Sequence, residues 1–159
     1  MKKWFYLILL FPLLLGACGE EETGPVPIKA GRDTCERCRM IISDTRFAAE
    51  IRGGPENKIW KFDDIGDAIT WLQKKPWAND EKTKIWVMDY DNGTEWIEAQ
   101  KAHYLVGYMT PMAFGFVAFS KPQEKSMSFE EMREIVVQKN AQLNCLPDEE
   151  DHNHDPNHS

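Results

Sequence analysis

Cys35 and Cys38 stand in the run Asp33-Thr34-Cys35-Glu36-Arg37-Cys38-Arg39-Met40, a Cys-x-x-Cys-x-Met pattern. Thiolate and thioether sulfur are polarizable and favour Cu(I) over Zn²⁺, Mg²⁺ or Ca²⁺. Cuprous ion is satisfied by two or three ligands, so one or two cysteines with one or two methionines complete a site. In an extended segment, alternation would send Cys38 and Met40 to the same face. Two other chemistries compete. A redox disulfide wants a helix amino terminus that lowers the attacking thiol's pKa, whereas this motif precedes strand-like sequence. A structural zinc site needs four ligands, and neither a second Cys-x-x-Cys nor a His-x-x-x-His lies in the expected fold.

A second methionine cluster, Tyr108-Met109-Thr110-Pro111-Met112, precedes Gly115 in a segment with turn chemistry. Methionine usually fills cores, which suits Met88 in a strand and Met132 on a helix stripe. Met112 reads equally as ligand or as core. Asp63-Asp64 invites an acid–base reading, but adjacent carboxylates at a helix start are better explained as a cap. Asp89, Asp91, Asn92 and Gly93 read as turn residues. No nucleophile elbow, phosphate loop or nucleotide fingerprint is present, and no enzymatic activity is expected.

The chain ends suggest the compartment. Lys2 and Lys3 precede an apolar run from Trp4 to Leu15, 12 residues long. That is short of the ~20 needed to span a bilayer but right for a signal peptide. The run closes on Leu15-Gly16-Ala17-Cys18, which resembles the lipobox of bacterial lipoproteins, in which the Cys is acylated and becomes the first mature residue. The alternative is an ordinary signal peptide with a coincidental Cys. Export with a lipid anchor at Cys18, on the outer side of the cell membrane, is the expectation. Loss of Lys2 and Lys3 takes the formal net charge from −7 to −9. So acidic a protein has no electrostatic case for nucleic acid.

The organisation expected is a leader over 1–17, a tether over 18–32, one domain over 33–146, and an acidic, histidine-rich tail over 147–159. Strands are expected over Arg46–Arg52 and Lys58–Phe62, joined by Gly53-Gly54-Pro55-Glu56-Asn57. A helix with the stripe Ile65, Ala68, Ile69 and Leu72 follows. Lys84–Tyr90, Thr94–Ile97, Tyr104–Val106 and Phe114–Ser120 read as further strands. Ser128-Phe129-Glu130-Glu131 is a capping box. It opens a helix to about Gln142 that buries Phe129, Met132, Ile135, Val136 and Leu143. The class is α+β.

The ordered string of motifs is more specific than its Cys-x-x-Cys alone. It runs through Cys35-x-x-Cys38-x-Met40, Ile42 to Ala49, Lys61-Phe62-Asp63-Asp64-Ile65-Gly66, Val87-Met88-Asp89-Tyr90, Trp96-Ile97-Glu98-Ala99 and Thr110-Pro111-Met112 with Gly115. From about Thr34 to Ser120 the chain resembles the NosL family, copper-binding lipoproteins encoded with nitrous oxide reductase. The resemblance implies two ββαβ-type halves, with small mixed or antiparallel sheets and two helices, related to the organomercurial lyase superfamily. It implies a Cu(I) metallochaperone serving nitrous oxide reductase together with an ABC-type maturation machinery. Its metal ligands fall on Cys38, Met40 and Met112, with Cys35 as the first cysteine of the motif. Family accounts also invoke a His, and His103 is the one histidine inside the expected fold, where a packing role competes. His152, His154 and His158 read as a solvated tail or as transient metal capture. The readings from other classes are an exported thiol–disulfide oxidoreductase acting through Cys35 and Cys38, with Pro111 as a candidate cis-proline, and a binding module with a disulfide to Cys145.

Overall fold

The computed structural model describes residues 23–144. The expected elements at Cys18, Cys145 and the histidine-rich tail lie outside them. Strand β1 (Ala49–Gly53) and β2 (Lys58–Phe62) form an antiparallel hairpin in the register Ala49–Phe62 and Ile51–Trp60. Helix α1 (Ile65–Leu72) follows, then β3 (Lys84–Met88) and β4 (Trp96–Glu98). The sheet order is β2-β1-β3-β4. A second hairpin pairs β5 (His103–Val106) with β6 (Phe116–Phe119), and α2 (Phe129–Asn144) closes the described chain. A parallel bridge between Asp89 and Ala118 joins the two sheets. The protein is therefore α+β, with a complete ββαβ unit in the first half and ββα in the second.

Two local expectations shift, and a third holds. Arg46 and Phe47 form a single 3-10 turn rather than strand, because the Asp44 side chain accepts from the Arg46 amide and caps it. Ser128 and Glu131 make the reciprocal capping box as expected, at 2.8 and 3.4 Å. Phe129, Met132 and Val136 are buried, but Ile135 is exposed, since it sits at the edge of that stripe rather than on it.

The tether is the larger departure. Residues from Gly24 onward lie across the sheet face opposite α1. The Val26 amide donates to Glu50 at 2.8 Å, Trp96 donates to the Val26 carbonyl, and Arg52 donates to that of Gly24. Strand β1 alternates apolar and charged residues, which predicts one wet face. The strap covers that face, and all five β1 residues are buried.

Helix α1 is buried on every side, against the sheet, α2 and β6. A Cβ built on Gly66 would meet the Phe114 ring at 2.0 Å. Phe114 belongs to the loop that carries Met112, so this contact fixes the loop to the helix. Gly66→Ala should cost about 1–3 kcal/mol through overpacking. Chemical denaturation would read this as a lower midpoint, and an unchanged midpoint would mean that the loop yields freely.

Glu50 is fully buried beneath the strap, and burial pushes its carboxyl up to about 7. Lys61 is 4.0 Å away but lies closer to Asp33, at 2.6 Å, so its charge offsets only part of the burial. A carboxyl raised on folding stabilises the fold in its protonated form. That contribution is complete below the unfolded value of 4.5 and lost as pH rises through about 7. Glu50→Gln is neutral throughout and keeps an oxygen for Val26. Its melting temperature should gain on the parent by ~5 °C between acid and mildly alkaline pH. A pH-independent difference would refute a neutral Glu50 beneath the strap.

Candidate metal centre

The cysteine segment is a tight knuckle, not an extended strand. A bridge pairs Thr34 with Ile41, and the Cys35 amide donates to the Met40 carbonyl at 2.9 Å. Arg39 donates back to the Cys35 carbonyl and takes φ 65°, the left-handed conformation that closes the turn. The Cys38 amide points at Cys35 Sγ, 3.4 Å away. The Glu36 amide donates to the Lys61 carbonyl and pins the knuckle to the free edge of β2. The alternation argument for Cys38 and Met40 therefore fails. Their proximity comes from a turn, which leaves Met40 46 % exposed, Cys38 half-buried and Cys35 sealed.

The other half of the site comes from the start of α1. Asp63 precedes the extended N-cap Asp64, and Asp67 lies in the first turn of α1. Cys38 Sγ lies 3.4 Å from both Asp63 oxygens, and Cys35 Sγ lies 3.5 Å from Asp67 Oδ2. One ligand atom from each of Cys35, Cys38, Asp63 and Asp67 falls within 4.8 Å of the others. Arg37 pairs with the second oxygen of Asp67. Asp63 and Asp67 are both buried. The expectation that the Asp63-Asp64 pair simply caps the helix holds for Asp64, which accepts from the Gly66 amide at 2.8 Å. Asp63 instead faces the thiol.

Asp64 also holds the methionine loop. Thr110 Oγ1 donates to its Oδ2 at 2.6 Å, and the Met112 amide approaches the same oxygen at 3.3 Å. Met112 is half-buried against the core, while Met109, three residues earlier, is 95 % exposed. Thiols, carboxylates and the Met112 loop thus meet at one helix start. His103 lies on β5 opposite Phe119 and takes no part in the four-residue cluster.

Burial pushes the Cys35 thiol far above its ordinary pKa, and it raises Cys38 as well. Burial also raises Asp67, against the charge of Arg37. Both thiols are then protonated at neutral pH until a cation displaces the protons. This is the reverse of what a redox nucleophile needs. The cysteine motif also opens no helix, and among the described residues no peptide bond is cis, that of Pro111 included. Asp63 and Asp67 were missed in the sequence because carboxylates beside a helix cap and in its first turn are ordinary there. The missing half of the Cys-x-x-Cys ligand set was the signal that could have found them.

No curated protein matches the sequence. The profile of the NosL family matches residues 25–134, well over half the chain, beginning where the strap docks. The chain belongs to the NosL family of copper-binding accessory proteins.

Proposed function

We propose that this chain is a Cu(I) metallochaperone, anchored by lipid at Cys18 outside the cytoplasm, that supplies copper for the centres of nitrous oxide reductase in concert with an ABC-type transporter. The observation that carries the copper reading is the knuckle, which sets two thiols side by side with graded access. Cys35 is sealed, Cys38 is half-buried, and Met40 is open. A resident ion wants a closed ligand shell, whereas cargo must be reached by an incoming ligand before the old ones let go. Cys38 and Met40 offer that approach. Met112, on the loop held by Asp64, is the proposed third sulfur donor. Thiolate and thioether donors suit a cuprous ion, which needs no more than two or three of them.

The reduced domain should hold Cu(I) much more tightly than Zn²⁺ in competition with a cuprous chelator. Cys38→Ser removes a charge and a donor together, and should weaken Cu(I) by roughly a hundredfold or more, about 3 kcal/mol. Met40→Leu and Met112→Leu conserve volume and should each cost about tenfold. Cys35→Ser should cost less than Cys38→Ser. Full Cu(I) affinity in Met112→Leu, with none in Cys35→Ser, would make the site a local thiol clamp and remove Met112 from it. In cells, the same ranking should appear as loss of copper-replete nitrous oxide reductase.

The anchor has its own check. Replacing Cys18 by Ala should abolish incorporation of labelled fatty acid and release the exported protein from the membrane. An unmodified amino terminus at Gly19 or beyond in the native protein would refute lipidation.

A further inference from the structure

The metal centre occupies one end of the first sheet. Strand β2 runs from Lys58 to Phe62 and straight into Asp63, so its length, about 13 Å, separates that centre from the other end. There Gly53 pairs with Lys58, and Arg52 pairs with Lys84. The strap enters at this second end, where Arg52 donates to the Gly24 carbonyl and Thr23 shares a shallow hollow with Lys82 and Lys84.

Tryptophan and lysine gather around that entry. The Trp77 ring lies over Gly53 and Gly54, so close that a Cβ on Gly53 would meet it at 2.7 Å, and Thr83 donates to the Trp77 carbonyl at 2.9 Å. Trp71 links Trp77 to Trp60, with ring centroids 5.7 and 4.9 Å away. Lys58 and Lys75 lie over the Trp60 and Trp71 rings at 4.4 and 4.1 Å. Trp60 and Trp77 are both half-buried, so each keeps part of its ring at the surface.

We infer that this end of the sheet is a membrane-contact face, which rests Trp77 and its lysines on the headgroups of an anionic phospholipid bilayer and turns the metal centre outward. The inference rests on the lipid anchor at Cys18, not on the copper reading. Thr23 is five positions from Cys18, and five residues span at most ~18 Å. An anchored chain therefore keeps the strap's entry near the bilayer, and the surface around that entry is the one that meets lipid first. Its chemistry suits the place. Indole combines an apolar ring with a polar N–H and settles at the membrane–water boundary. Lysine stems cover apolar surface while the ammonium groups reach phosphate. Lys58, Lys74, Lys75, Lys82 and Lys84 stand there against Glu56, Asp80 and Glu81, in a chain whose net charge is −7. An anionic surface attracts this end and repels the rest of the molecule, which orients the domain. Cys38 and Met40 then face the aqueous side.

The lipidated, full mature chain in vesicles of phosphatidylcholine and phosphatidylglycerol, brominated high in the acyl chains, tests the contact. Six tryptophans less Trp4 of the leader leave five, so bromine quenching of Trp77 alone should remove about a fifth of the emission. Trp77→Phe should abolish most of that quenching. Lys74→Glu combined with Lys82→Glu changes two exposed side chains and leaves the packing of Trp77 alone. It should remove the quenching as well, with Cu(I) affinity unchanged and the protein still floating with the vesicles. Flotation without quenching, or quenching indifferent to both variants, would overturn the contact face and leave the anchor standing. Quenching that disappears in Trp96→Phe instead would overturn it too, because Trp96 pairs with Met88 at the metal-centre end. Protein that does not float would sink the anchor first, and the contact face with it.

Discussion

The carboxylate of Asp64 holds the site together. It has no exposure to solvent, and it accepts from the Gly66 amide, the Thr110 hydroxyl and the Met112 amide. Hydrogen bonds to a charged group contribute roughly 1.5–3 kcal/mol each. They oppose the burial that raises this carboxyl. One side chain thereby starts α1 and fastens the loop that carries Met112. Its neighbour Asp63, just before the cap, and Asp67, in the first turn of α1, lie to either side of it. They face the knuckle, and the four donors converge because a single helix start is fixed from both directions.

The sheet serves this arrangement by being closed on both faces. Helix α1 lies on one face of β1 and the strap from Gly24 lies on the other. The free edge of β2 is not left open either, since the Glu36 amide of the knuckle takes the Lys61 carbonyl. An exposed edge invites pairing with other chains. Here the same contact that blunts the edge sets the height of Cys35 and Cys38 above α1. The strap also gives the charged residues of β1 a role that alternation alone does not suggest. Glu50 and Arg52 grip backbone groups of Val26 and Gly24 rather than water.

What could be read in the sequence follows the range of the interactions. The β1–β2 hairpin, α1 and the Ser128 capping box rest on signals within a few residues, and all three are present, with β1 starting three residues later than expected. The pairing of Cys38 with Asp63 spans 25 positions, and that of Cys35 with Asp67 spans 32. No local pattern separates Asp63 from an ordinary cap. The strap escaped for the same reason. Pro25 and Pro27 read as a spacer, and nothing near them announces Glu50 or Trp96 as partners. The turn at Arg39 escaped because left-handed backbone usually advertises itself with glycine, and here an arginine adopts it.

The knuckle also decides which chemistry the thiols are suited to. A catalytic disulfide works through an exposed thiolate stabilised by a helix end or a cation. Cys35 has neither, because it is sealed and faces a carboxylate. Of the motif's arginines, Asp67 claims Arg37 and Glu36 claims Arg39. Burial and negative neighbours keep the thiols protonated and unreactive when alone. A metal ion would reverse those penalties, since it displaces the thiol protons and supplies the missing positive charge. Partial exposure of Cys38 and Met40 then leaves one side of the bound ion within reach of another ligand set. That combination, inert when empty and accessible when loaded, is what a carrier of a reactive ion requires.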